Sequence, residues 1–526
     1  MPNLKSENGE SLRLDLCILL TPECFPLLGG IEGGKRMLDS DNCYKATLSR
    51  DARFDGVFYI AVASTKIYCR TICRVKTPLK KNCTFYPTAA EAEAAGYRPC
   101  LRCRPELAPG NSSMDAVGRL AKLAMQRIEA GALSGASIAD LADEFGVTDR
   151  HLRRVMQNEL GVSPVEVAQT QRLHLAKRLL TDTALPVTDV AYASGFASLR
   201  RFNALFKERY RLEPRRFRQS ENVAAKSDVF VCTLSYRPPL AWNELLTFLS
   251  ARAVDGVEVV AQNTYSRTVG IGKHRGVVSV SSVPAKNQLR VRLSAALIPV
   301  LVPVLARIKK VFDLDAEPML IAKHLGNIAA KNPGLRVPGA FEGFEIAVRA
   351  ILGQQITVKA ATTLSGRFAA KFGEAIATVT AGLTHIHPTA ARIARASVAE
   401  IASLGIITKR AEAIIALAQA VDSGKIRHEP AVDVAQQIAS LTDLPGIGEW
   451  TAQYIAMRTL SWPDAFPHTD LVVMKQLGTR DKKEILRIAE AWRPWRSYAT
   501  MHLWRLASDS CSNAARIAGS KIRRTK

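Results

Sequence analysis

The sequence predicts a multidomain α+β protein, and three observations lead there. Its 526 residues exceed the ~150 residues of an ordinary domain several-fold, so about three or four modules are expected rather than one core. The residue pattern changes along the chain, from a cysteine-rich segment to a helical repeat, then alternating strands, then helices. A composition of 47% hydrophobic and 6% aromatic residues suits folded modules and excludes a largely disordered chain.

Charge narrows the partners. The chain holds 72 Lys+Arg against 48 Asp+Glu, a net charge of +24, and residues 228–526 alone hold 38 against 23. A polyanion is therefore the expected partner. A membrane surface would also suit such a charge. The most apolar stretch, Leu16 to Ile31, however, contains Pro22, Glu23 and Pro26 and is shorter than the ~20 residues a crossing helix needs. It is also a poor secretory signal, because Asp15 precedes a short apolar run with no small-residue cleavage site after it. No membrane association is expected. The expected compartment is the cytoplasm, where ten cysteines read as metal ligands or free thiols before disulfides.

Taken in order, residues 1–36 have no clean periodicity and form an extension of uncertain character; Met37 is a candidate natural start. Residues 37–110 form a small cysteine-rich basic module, closed by the linker Pro105-Glu-Leu-Ala-Pro-Gly-Asn-Ser-Ser113. Residues 114–220 repeat themselves. Ile138-Ala-Asp-Leu-Ala-Asp-Glu-Phe-Gly146 and Val187-Thr-Asp-Val-Ala-Tyr-Ala-Ser-Gly195 share an apolar pattern, a small Ala142 or Ala191, and a turn glycine four residues later. Thr148 and Ser198 then stand where a helix N-cap belongs, giving helix, tight turn, helix twice over.

After a polar break at 221–227, residues 228–312 alternate as strands at Val229–Leu234, Thr264–Val269, Gly276–Val280 and Gln288–Leu293, with helices at Trp242–Ala253 and Ala296–Phe312. Residues 313–508 read as helical throughout, and 509–526 as a basic tail.

Cys69-x3-Cys73 and Cys100-x2-Cys103 are two close pairs, the arrangement a tetrahedral four-cysteine zinc site requires. One Zn2+ is the expected cofactor, and a purely structural zinc is the plain reading of the spacing. Arg70 and Arg74 flank the first pair and could hold a phosphate beside a metal-bound thiolate. Cys43 and Cys83 lie outside the paired spacing and are expected to be packed thiols.

The segments Arg50-Asp-Ala-Arg-Phe-Asp-Gly-Val-Phe-Tyr59, Ser64-Thr-Lys-Ile-Tyr-Cys-Arg70, Asn82-Cys-Thr-Phe-Tyr86 and Ala94-Ala-Gly-Tyr-Arg-Pro-Cys-Leu-Arg-Cys-Arg-Pro105 closely resemble the Ada-type metal-binding domain. That resemblance implies that Cys69 accepts a methyl group from a methylphosphotriester in DNA, once per protein. The family's Cys-Arg-Pro-Ser-Cys is Cys-Arg-Thr71-Ile72-Cys here. The paired helix-turn-helix units resemble the AraC-type activator domain. Arg150, His151, Arg153 and Arg154 in the first unit, and Arg200, Arg201 and Asn203 in the second, are its candidate DNA-contacting residues, on helices able to enter the major groove.

Leu444-Pro-Gly-Ile-Gly-Glu-Trp-Thr-Ala452 reads as a helix, a glycine hairpin and a second helix, whose backbone N–H groups at Gly446 and Gly448 can approach a phosphate. Phe466-Pro-His-Thr-Asp470 follows; a lone Asp there usually caps a helix, a job Thr469 could do instead. Together with His274-Arg-Gly-Val-Val, Ala350-Ile-Leu-Gly-Gln-Gln and Trp492-Arg-Pro-Trp-Arg-Ser-Tyr-Ala499, these resemble the helix-hairpin-helix glycosylases, closely the AlkA-type 3-methyladenine glycosylases, from about 228 to 506. The resemblance implies Asp470 as catalytic carboxylate and a base pocket of Phe248, Trp450, Tyr454 and Trp504. It also implies DNA contacts at Gly446, Gly448, Thr451 and Gln354, with Gln355 beside Ile356 as the wedge.

Relatives that also cut the strand use a lysine where Trp450 stands, so hydrolysis without lyase activity is expected. The predicted layout is thus a small zinc-bound α/β domain, an all-α double helix-turn-helix domain, a TBP-like antiparallel α+β subdomain and an all-α helix-hairpin-helix domain. The expected function is alkylation-damage response: methylphosphotriester-sensing transcriptional activation combined with excision of alkylated bases. The partners are double-stranded DNA and RNA polymerase, and the protein acts as a monomer at the nucleoid. The alternative is a transcription regulator whose glycosylase-like part is an inactive DNA clamp.

Overall fold

The computed structural model describes residues 28–32, 35–50, 54–55, 58–86, 89–105, 116–183, 185–217, 228–429 and 433–508. Most of the 105–113 linker, the 221–227 break, the basic tail, Cys17, Cys24 and Cys511 lie outside them. The chain divides into two compact units, residues 1–118 and 119–526. No helix among the described residues is long and apolar enough to cross a membrane.

In the first unit, Leu28–Glu32 pairs antiparallel with Lys35–Leu38, so part of the extension read as unorganised is a hairpin. The two strands are only five and four residues long, too short for a periodicity reading to find. Helix Ser40–Leu48 starts at Asp39, whose side chain accepts from the N–H groups of Asp41 and Asn42. A four-stranded sheet follows in the order Cys83–Tyr86, Tyr59–Val62, Ile67–Arg70, Arg98–Pro99. Its last pairing is parallel, Ile67 beside Arg98, and this brings the second cysteine pair back against the first.

Six helices come next in the chain, the first of them starting three residues before the second unit: Ala116–Glu129, Ile138–Glu144, Asp149–Leu160, Pro164–Asp182, Val187–Ala193 and Leu199–Tyr210. Thr148 and Ser198 cap as the repeat predicted, accepting from the N–H groups of His151 and Arg201, each cap worth about 1 kcal/mol. Ala142 and Ala191 are fully buried where the paired helices touch, and Gly146 and Gly195 take the positive φ values, +66° and +84°, of the turns.

Strands Val229–Ser235, Gln288–Ser294, His274–Val283, Thr264–Ile271 and Glu258–Ala261 then form one antiparallel sheet in that order. The fifth strand, Glu258–Ala261, went unpredicted. It is only four residues long and meets the next through Gln262 and Asn263, both at positive φ, a turn that needs neither Gly nor Pro to signal it. The helix expected at 296–312 is split, because Pro299 restricts Ala295–Val300 to a 3₁₀ turn before helix Leu301–Val311. Short strands Glu374–Ala375 and His385–Ile386 interrupt the otherwise helical C-terminal region.

The 221–227 break separates segments of sequence without separating cores. Leu173, Leu180, Phe202 and Phe206 of the helical repeat belong to the same buried cluster as Phe230, Leu234, Val280 and Leu301 of the sheet subdomain. Arg178 donates to the carbonyl of Thr233 on the sheet's edge strand. A Cβ at Gly131 would stand 2.7 Å from Val302 Cγ1, a closeness only glycine allows.

Two buried histidines should make this unit acid-sensitive. His428, packed on Gly343, has no hydrogen-bond partner at either ring nitrogen, and Nδ1 of His502 has none. Burial, with Lys310 beside His428 and Arg505 beside His502, holds both down to about 4 from the ordinary 6.5. The unfolded chain therefore takes up protons that the native state refuses, so their contribution is complete above pH 6.5 and is lost as pH falls toward 4. Up to about 3 kcal/mol per histidine is at stake. Thermal melts should show Tm falling across that window, with His428→Gln flattening the slope; an unchanged wild-type Tm would contradict the reading.

Candidate functional sites

In the first unit, strand Ile67–Arg70 carries Cys69, a tight turn with Cys73 N–H bonded to Arg70 O at 3.1 Å presents Cys73, and the parallel strand delivers Cys100 and Cys103. The four sulfurs lie within 4.8 Å of one another and all four residues are buried. Four convergent sulfur donors around one point suit a tetrahedral Zn2+. The two remaining described cysteines of this unit stay apart: burial, with Asp39 nearby, pushes the Cys43 thiol up to about 12, and Cys83 bonds Leu79 O at 3.4 Å. A single zinc per chain should survive Cys43→Ser and be lost when all four ligands are changed to Ser; metal analysis after gel filtration decides it.

Arg70 is a correction. Rather than facing a phosphate, its guanidinium is 1% exposed and forms a bidentate pair with Asp55. An alternating strand sends Arg70 to the opposite face from Cys69. Arg74 is exposed. Thr71, in the departure from the Ada-type loop, is buried with its hydroxyl unpartnered, and it lines a hollow of about 20 Å3 beside Cys69 and Cys73.

On the helical repeat, Arg150, Arg153, Arg154, Arg200, Arg201 and Asn203 are exposed on helices Asp149–Leu160 and Leu199–Tyr210. Leu152, Val155, Phe202 and Phe206 point inward from the same helices. His151 is half-buried and its Nδ1 lies 3.2 Å from Arg154, while Arg153 lies 3.7 Å from Asp149.

The C-terminal site gathers residues far apart in sequence. Helix Glu449–Thr459 follows the glycine turn, with Gly448 as N-cap and Gly446 at φ +77°, packed so tightly that a Cβ would stand 2.7 Å from that of Ala413. Trp450 and Tyr454, one turn apart, stack with centroids 5.3 Å apart and planes 13° from parallel. Trp504 lies 6.2 Å from Tyr454 and 6.4 Å from Phe248, which helix Trp242–Ser250 contributes from the sheet subdomain.

Asp470 opens helix Leu471–Leu477 and is itself the cap, so Thr469 does not take that job. Its Oδ1 accepts from the N–H groups of Val472 and Val473 and from Trp504 Nε1 at 3.0 Å; its Oδ2 accepts from Trp450 Nε1 at 3.0 Å. Two pocket indoles thus hold the carboxylate, whose Oδ2 retains acceptor capacity.

Two proposed DNA contacts look different in three dimensions. Thr451 is 2% exposed, so its hydroxyl faces the interior, where it meets Gln354 Nε2 at 3.0 Å. The same Gln354 amide donates to Gly446 O at 2.8 Å, and Arg410 donates to Gln354 O, so Gln354 ties its loop to the hairpin instead of presenting a free amide to DNA. Gln355 beyond it is exposed at φ +55°, with Ile356 half-buried. The sequence reading missed Arg252 and Arg458, which crowd Phe248 and Tyr454. Each follows its aromatic partner by four residues, a helical spacing that was available as a signal.

Family profiles match the metal binding domain of Ada at residues 42–106, a helix-turn-helix domain at 141–220, the AlkA N-terminal domain at 231–342, and the HhH-GPD superfamily of base excision DNA repair proteins at 348–494. The chain is 36% identical over 481 residues to a probable bifunctional transcriptional activator/DNA repair enzyme AlkA of Mycobacterium tuberculosis, covering 89% of this chain and 96% of that one. Over 272 residues it is 40% identical to DNA-3-methyladenine glycosylase 2 of Escherichia coli, covering 52% of this chain and 96% of the relative. Over 199 residues it is 30% identical to the bifunctional transcriptional activator/DNA repair enzyme Ada of Escherichia coli, covering 38% and 54%. With its buried four-cysteine cluster, paired helix-turn-helix units and glycine hairpin in this order, the chain belongs to the family of bifunctional transcriptional activator/DNA repair enzymes that join an Ada-type zinc domain to an AlkA-type glycosylase.

Proposed function

We propose that the protein senses alkylated DNA through its cysteine site, activates transcription through its helix-turn-helix pair, and hydrolytically excises alkylated bases such as 3-methyladenine. The observation that carries the repair half is the Asp470 carboxylate held by Trp450 and Trp504, with Phe248 and Tyr454 completing one aromatic pocket. An N-methylated purine is cationic and already a good leaving group, so the work is to flip it, stack it on electron-rich rings and stabilise the developing sugar cation. A fixed carboxylate does the last of these without donating a proton. Trp450 has no amine to form a Schiff base, so the strand stays intact.

Zinc held by Cys69, Cys73, Cys100 and Cys103 would keep all four sulfurs as thiolates at neutral pH. Cys69 then attacks the methyl carbon of a phosphotriester: the sulfur–carbon bond forms, the carbon–oxygen bond breaks, and the electron pair stays on the phosphate as an ordinary diester. DNA is the partner of every module, with the protein acting as a monomer and RNA polymerase its second partner at promoters. The test is the full chain incubated with alkylated duplex, scoring free base by chromatography and strand cleavage separately. Release of 3-methyladenine without nicking is the expected result; nicking without added base contradicts the hydrolytic mechanism, and no release contradicts the repair half.

A further inference from the structure

Three guanidinium groups lie around the aromatic pocket, and among the described residues none of them forms an ion pair with a carboxylate. Arg458 donates from Nη1 to the Tyr454 hydroxyl at 2.7 Å, and its other nitrogens meet the carbonyls of Pro338 and Gly339. Arg252 lies 3.8 Å over the Phe248 ring and donates to Phe248 O at 3.3 Å. Arg349 donates to Thr362 Oγ1 at 2.8 Å while its Nη1 is buried without a partner. The neighbouring buried acids are taken, since Glu345 and Glu258 lie 2.8 and 3.7 Å from Arg267. Burying unmatched cations is costly, so a counter-anion within the cluster is strongly favoured.

The acidic group common to all three is the Tyr454 phenol. Burial pushes its ionisation up, but Arg458, Arg252 and Arg349 outweigh burial and hold it below the ordinary 10. From the other side, burial and the crowding of Arg458 and Arg349 bring Arg252 down to about 10, with Tyr454 opposing.

We propose that Tyr454 is the buried counter-anion of this guanidinium cluster and that, as a phenolate, it makes the pocket select positively charged bases over neutral ones. The proposal rests on reading Phe248, Trp450, Tyr454 and Trp504 as the base pocket. On ionisation the phenol O–H bond breaks, the proton passes to solvent, and the electron pair remains on the oxygen that Arg458 holds. A cation stacked on that ring gains attraction that a neutral base does not.

The groups facing Tyr454 come from every packed element: Trp450 and Arg458 from its own helix, Arg252 just after helix Trp242–Ser250, Arg349 from helix Gly343–Leu352, and Trp504 from helix 496–508. Glu258 and Glu345 act on Arg349 behind them.

Ultraviolet difference titration of the full-length wild type against Tyr454→Phe should reveal one tyrosine ionising below the ordinary range, absent from the variant, with Arg458→Gln moving it upward. The wild-type ratio of 3-methyladenine to hypoxanthine excision should rise about tenfold as pH rises through that tyrosine's ionisation, and stay flat in Tyr454→Phe. A low-titrating tyrosine that persists in Tyr454→Phe, or none at all, overturns the counter-anion. A flat wild-type ratio overturns the selection. Absence of excision of either base at any pH overturns the selection and the pocket reading together, while the titration decides the counter-anion by itself.

Discussion

Asp470→Asn should lower excision of 3-methyladenine by about 10³-fold or more while changing affinity for the alkylated duplex by no more than a few-fold. In the proposed mechanism the carboxylate opposes a developing sugar cation, and Asn keeps its volume but not its charge. Helix Leu471–Leu477 should survive, because Asn caps as well as Asp and can still accept from Val472 and Val473. One local loss is built in: with the amide oxygen at the Oδ1 position, the amide nitrogen faces the Trp450 N–H that now donates to Oδ2. Two donors in opposition cost about 1–3 kcal/mol, so a modest fall in Tm is part of the expectation. DNA binding persists because the phosphate contacts proposed at Gly446 and Gly448 involve backbone N–H groups that the substitution does not change. Single-turnover excision measured beside duplex affinity separates the terms. Excision at the wild-type rate would return the C-terminal region to a clamp.

Exposure to methylphosphotriester DNA should add one methyl to the full chain, map to Cys69, and tighten promoter binding about tenfold. A zinc held by four thiolates carries a net charge of about −2, and converting one thiolate to a thioether removes one negative charge close to a polyanion. Cys69→Ala should abolish acceptance entirely. Intact mass and peptide mapping read the first outcome, and promoter affinity before and after methylation reads the second. A methyl on Cys73 or Cys100 would overturn the assignment. Cys69 is 7% exposed beside a small hollow lined by the buried Thr71 hydroxyl, so Thr71 is the place to vary access to the sulfur.

Much of the organisation is local information, and for that reason it was legible in the residues. Cys69-x3-Cys73 and Cys100-x2-Cys103 specify a metal site because short chelates constrain geometry within a few residues. The repeated Ala and Gly of the helix-turn-helix pair, with Thr148 and Ser198 as caps, specify turns through single-residue φ preferences and capping hydrogen bonds. The glycine hairpin ending at Gly448 was legible in the same way.

What only tertiary structure decided are the long-range pairings. That Asp470 is gripped by Trp450 and Trp504, twenty and thirty-four residues away, follows from how three helices pack together and from no spacing rule. Gln354 reaching Gly446 across ninety-two residues is of the same kind, as is the core shared between the helical repeat and the sheet subdomain. Arg70 shows the limit most directly. A basic residue beside a cysteine suggests a phosphate contact, but strand alternation and the distant Asp55 turn it inward, because a strand's faces are assigned by what packs on each. The electrostatic surroundings of Tyr454 belong here too. Three arginines from three helical segments meet one phenol, and the field they make exists only once those segments pack together.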